Sequence, residues 1–209
     1  MSPQDLAATM LSLEEQGCHN INLVSPSHVV APVLAALAIA AEAGMRLPLV
    51  YNTGGYDSSE TLALLDGVVD IYMPDMKYDD AQAGKAYSGV PDYPAVNRAA
   101  LSEMHRQIGD LLCDRGGVAL RGLLVRHLVL PNDLAGTRGI MRFLADEISS
   151  NTYLNIMDQY RPCYRAQAAP ELDRKISPQE YQLALNAARE VGLTRLDSRS
   201  SRLVWLQPW

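Results

Sequence analysis

What most limits the fold of this chain is the way helical and strand periodicities take turns along it. Leu6, Met10 and Leu13 recur at helical spacing, behind Ser2 as a cap, Pro3 in the first turn and Asp5 against the helix dipole. The strand pattern "NINLVS" (20–25) follows, then an alanine-rich helix over 29–43. "LPLVYN" (47–52) reads as a strand, "SSETLALLDG" (58–67) as a short helix and "VDIYMPDMKY" (69–78) as a strand. A polar stretch at 79–94 with Gly84, Gly89, Pro91 and Pro94 reads as a loop insertion. Beyond it come a helix over 94–112, a strand at 121–131, a helix at 136–149, a strand at 152–160 and a helix at 177–192. Such alternation predicts right-handed βαβ units around a parallel α/β sheet, with five strands and about six helices. The 209 residues read as one domain, with 198–209 as a tail packed on its outside.

Composition narrows the function classes. A net charge of −6 with scattered basic residues argues against nucleic acid as a partner. No apolar run approaches the roughly 18 residues of a membrane span, and the first residues lack a signal-peptide pattern. The pattern therefore predicts a soluble, cytoplasmic protein. Cys18, Cys113 and Cys163 lie far apart, without metal-knuckle or redox spacing, so no metal site is expected from them.

The strand ends carry the chemistry. In "VDIYMPDMKY" alternate residues share a face, so Val69, Ile71 and Met73 point the same way as Asp75 and Lys77. Opposite charges then sit at the C-terminal rim of a parallel sheet, where ligands bind in α/β folds. The alternative is a rim salt bridge contributing roughly 0–1 kcal/mol. The other strands end in "SPSH", "NTGGY", "RHLVLPN" and "DQYRP". Gly54 and Gly55 allow close backbone approach or an ordinary turn. Arg126 and His127 point to opposite faces. His127 shares the Val125 and Val129 face and reads as a core histidine, leaving Arg126 as the inward residue. Asn155, Met157 and Gln159 share one strand face, which suits a polar ligand.

The blocks "NINLVSPSHVVAPVLAAL", "LPLVYNTGGYDSSETLALLDGVVDIYMPDMKY", "LLVRHLVLPN" and "YLNIMDQYRP" resemble the pyruvate formate-lyase activating enzyme-like group of radical SAM proteins, over roughly residues 3 to 197. The resemblance implies a partial (βα)6 barrel of the TIM type, here missing its first strand. It also implies a [4Fe-4S] cluster that cleaves S-adenosylmethionine to a 5′-deoxyadenosyl radical for hydrogen-atom abstraction. The family's Cys-x3-Cys-x2-Cys loop has no counterpart in these 209 residues. The expectation is an N-terminally truncated product, a mis-assigned start or a cluster-less descendant, and no cluster on this chain alone.

By the same resemblance, Lys77 is counter-charge to the methionyl carboxylate, Asp75 lies beside it, and Asn52 contacts the same end of the cofactor. Gly54, Gly55, Arg126, Asn155 and Gln159 complete the expected cofactor-binding set, with no catalytic residue assigned. The implied partner is a protein or peptide substrate of the glycyl-radical enzyme type. Two rival readings remain open: a cluster-less α/β barrel acting as a binding or structural module, and a metal-independent lyase or isomerase using Lys77 and Asp75. With its neighbour missing, the strand at 20–25 is also expected to be an edge open to self-association.

Overall fold

The computed structural model describes residues 1–197. In chain order the elements are α1 (Pro3–Glu15), β1 (Ile21–Val24), α2 (Val30–Glu42), β2 (Leu49–Thr53), α3 (Ser59–Ala63), β3 (Ile71–Pro74) and α4 (Ala81–Ser88). They continue with α5 (Tyr93–Ile108), β4 (Leu112–Cys113), β5 (Ala119–Leu128), α6 (Thr137–Phe143), β6 (Tyr153–Met157) and α7 (Pro178–Glu190). The expected α/β class with a mostly parallel sheet is observed. Two compact units are present: Met1–Pro74 with Ala95–Leu124, and Asp75–Pro94 with the chain from Val125 onward.

In the first unit β1, β2, β3 and the start of β5 pair in parallel, through Ile21↔Leu49, Val50↔Ile71 and Ile71↔Gly122 among others. β2 is buried along its whole length, as a parallel strand covered on both faces should be. Ser2 and Asp5 form a reciprocal capping box that starts α1, whose Ala7 and Met10 are buried, and α1 packs on α2. Gly122 has φ 115°, and a Cβ there would overlap the backbone of Asp110 and Leu111. That close approach lets the two-residue β4 pair antiparallel with β5, a strand the periodicity did not reveal. The helix expected to reach 112 stops instead at Ile108, where Gly109 takes φ 69°.

In the second unit Asp75 forms a parallel bridge with Arg126, and β6 pairs with β5. A core of Tyr78, Ala83, Tyr93, Leu130, Ala135 and Leu172 forms in this unit, with Tyr87, Leu128, Leu134 and Tyr160 packed against it. The 79–94 stretch is not a plain loop. It contains α4, capped by the Asp80 carboxylate on the Gln82 and Ala83 amides and ended by Gly89 in the left-handed region. Gly84, read as a loop marker, lies inside α4 because its Cα faces the Val90 carbonyl, where a Cβ would sit 2.5 Å from the oxygen. The helix expected at 136–149 is α6 followed by a π-helical turn over 144–148. Among the described residues no helix is long and apolar enough to cross a membrane.

Candidate functional site: a cationic cleft beyond β3 and β5

Past the end of β3 the alternation of faces persists. Pro74, Met76 and Tyr78 are buried, while Asp75 and Lys77 turn to the other side and are partly exposed. The backbone carrying them is held from two directions. Met76 N–H donates to the Arg126 carbonyl at 2.8 Å, and the Met76 carbonyl accepts from His127 Nδ1 at 2.9 Å. The Tyr93 hydroxyl accepts from the Lys77 amide at 3.1 Å and donates to the Asp75 carbonyl at 3.0 Å. Sequence reasoning missed Tyr93, since nothing in "PDYP" marks it.

On this support Asp75 becomes the centre of a charge cluster. Its Oδ2 lies 2.6 Å from Lys77 Nζ and its Oδ1 lies 2.7 Å from Arg126 Nη2. The Asp75 side chain is 16% exposed and Lys77 is 43% exposed, so the carboxylate is shielded and the ammonium is presented. The cluster lines a cleft of about 600 Å³, whose wall also includes Gln159, Arg161 and Cys163. Arg126 Nε and Asn155 Oδ1 are buried and make no hydrogen bond among the described residues. One is a donor and the other an acceptor, and both belong to the second unit.

His127 is fully buried, as the core reading required. A carbonyl can only accept, so Nδ1 carries the proton. Nε2 then accepts from the Thr137 hydroxyl at 2.9 Å. Burial pushes the His127 pKa down and keeps the ring neutral, outweighing the Met76 carbonyl, Asp133 and Asp75, which act the other way.

Asn52, Gly54 and Gly55 belong to the first unit. The buried Asn52 lies at the end of β2, with its carbonyl accepting from the Ser25 amide at 2.8 Å. Gly55 has φ 75° and its carbonyl accepts from Asn97 Nδ2 at 2.8 Å. The same turn holds a cluster that the sequence did not announce. The buried Asp57 carboxylate accepts from Ser27 at 2.6 Å, Tyr51 at 2.9 Å and Thr53 at 2.6 Å. In the second unit the structure thus brings together Asp75, Lys77, Arg126 and Gln159 around the cleft, whereas Asn155, on β6, is not part of its lining. Cys18 is partly buried, while Cys113 and Cys163 are exposed. Among the described residues no three His, Cys, Asp or Glu side chains are placed to hold a metal ion. The described residues therefore do not fit a [4Fe-4S] cluster, which takes three thiolates.

No family model matches the sequence. The chain is 32% identical over 149 residues to an uncharacterized protein of Methanocaldococcus jannaschii, a match that covers 71% of this chain and 40% of that relative. It thus spans well under half the length of the curated relative it matches. Among solved structures, it is similar to a domain of pyruvate-formate lyase-activating enzyme from Bacteroides vulgatus, with a TM-score of 0.60 and 11% identity. That likeness covers 86% of this chain and 98% of the other, and at this identity it shows that the two share a fold.

Proposed function

We propose that the cleft binds the amino-acid end of S-adenosylmethionine, and that the chain is the α/β part of a radical SAM protein related to the activating enzymes. One observation carries this: Lys77 is presented to the cleft, held by Asp75, which is itself held by Arg126. A fixed ammonium in a partly enclosed mouth favours a ligand carboxylate. The buried Arg126 Nε, without a partner among the described residues, suits a head group that brings an acceptor, as a carboxylate does. S-adenosylmethionine would supply hydrogen-atom abstraction only beside a reduced iron–sulfur cluster, for which the described residues provide no ligand set. The described residues contribute binding and orientation: Lys77 neutralises the carboxylate, Asp75 fixes Lys77, and Gln159 lines the wall.

The test is calorimetric titration of the chain with S-adenosylhomocysteine. Weak but saturable binding is expected, reduced about tenfold or more in Lys77→Met, the loss of one charge-assisted contact. An affinity that Lys77→Met leaves unchanged would remove the proposal.

The separation of the cysteines favours a second reading, in which the same cleft serves a binding module without radical chemistry. Ligand preference in calorimetry separates the two. S-adenosylhomocysteine bound more tightly than either methionine or adenosine alone supports the radical reading, and no such preference supports the module.

A further inference from the structure

The charges around the cleft do not cancel. Lys77, Arg126 and Arg161 face a single carboxylate, Asp75, an excess of two positive charges in a chain whose net charge is −6. Asp75 is shared by Lys77 and Arg126. Arg161 makes no hydrogen bond or ion pair among the described residues.

Arg161 is nevertheless on a fixed piece of chain. The preceding Tyr160 packs against the second unit's core and donates its hydroxyl to the Leu172 carbonyl at 2.9 Å. Pro162 follows, and the Ala166 amide closes a turn on the Cys163 carbonyl at 3.1 Å. The nearby Arg165 is occupied otherwise, stacked 5.3 Å over the Tyr164 ring. Tyr164 itself is 83% exposed, with φ 51°.

A zwitterionic head group at Lys77 is neutral overall and leaves that excess in place, while a sulfonium would add to it. We infer that the second molecule taken by this cleft, the substrate, is an anion, and that Arg161 seats its oxyanion group. A guanidinium fork matches two oxygens of a carboxylate or a phosphate, and both are the chemistry it selects. This inference deepens the cofactor reading and rests on Lys77 being the seat of the cofactor carboxylate.

The experiment uses the full chain with two probes, glutarate and inorganic phosphate, by calorimetry with and without saturating S-adenosylhomocysteine. At least one probe should bind and weaken as salt rises, and it should not compete with S-adenosylhomocysteine. Arg161→Gln alters an exposed side chain, so its melting curve should match the parent. It should weaken the probe about tenfold, with Arg161→Lys in between. Which probe binds tells a carboxylate substrate from a phosphate one. Binding of neither probe, equal affinity in Arg161→Gln, or displacement by S-adenosylhomocysteine overturns the inference. A probe that depends on Arg161 in a chain that does not bind S-adenosylhomocysteine upholds the anion seat and removes the cofactor reading.

Discussion

His127 donates through Nδ1 to the carbonyl of Met76, the residue that separates Asp75 from Lys77. A buried imidazole thus holds the peptide from which both charged side chains of the cleft project. Truncation to alanine opens a cavity and leaves the Met76 carbonyl and the Thr137 hydroxyl without their partner. His127→Ala should cost about 3 kcal/mol of stability, read as a lower urea midpoint. A midpoint equal to the parent's would mean that the ring is not holding this peptide.

The same imidazole sets a pH dependence. Its pKa is lowered by burial, so the unfolded chain takes up the proton first as pH falls below about 6.5. Stability contributed by His127 is therefore present above that pH and is lost on acidification toward the lower folded value. Urea midpoints at pH 7.5 and 5.5 should fall in that order, and the fall should be smaller in a His127→Gln background.

Asp75 and Lys77 should separate stability from binding. Asp75→Ala leaves Arg126 without its carboxylate in a largely buried site and should cost about 2–3 kcal/mol. Lys77 is 43% exposed, and Lys77→Ala should cost less than about 1 kcal/mol. Affinity for S-adenosylhomocysteine should nevertheless fall with Lys77→Ala. Equal destabilisation by the two substitutions would show that Arg126 has other support.

Gly139 in α6 is a packing constraint. A Cβ at this position would overlap the Asp79 carboxylate, and Asp79 also lies against Gly136. Gly139→Ala is expected to lose about 1–3 kcal/mol, and a second change, Asp79→Ala, should recover part of it. A double-mutant cycle with no coupling would contradict this.

β1 ends the strand order of its unit, and Val24 is 70% exposed. The tail segment "LVWLQPW", expected to pack on the outside of the domain and able to shield this edge, lies outside the described residues. An edge without a further strand among the described residues invites pairing with another chain. Light scattering should show association of the parent at high concentration and less in Val24→Lys. A parent that stays monomeric while its 21–24 amides exchange freely would show that the edge is tolerated.

The five longer strands were legible because parallel strands buried on both faces leave apolar runs, as in "LPLVY", and the two-residue alternation by itself carries Asp75 and Lys77 to one side. The opposite faces of Arg126 and His127 were legible for the same reason. α4 was not, since Gly84 and Gly89 argue for a loop by propensity. Gly84 is there because the Val90 carbonyl leaves no room for a side chain, which is a tertiary fact. Tyr93 was invisible in the same way: its hydroxyl reaches Asp75 and Lys77 from 18 and 16 residues away in sequence.

Met76 is almost wholly buried between two neighbours that face the cleft. The length of β3 ahead of Asp75 can therefore change only in steps of two. Losing one residue there would turn the methionine toward the cleft and drive both charges into the core, whereas losing two would shorten the strand and keep its polarity. Variation in length among chains of this design should accordingly be even-numbered at this strand end, and unrestricted in parity in the loops that follow.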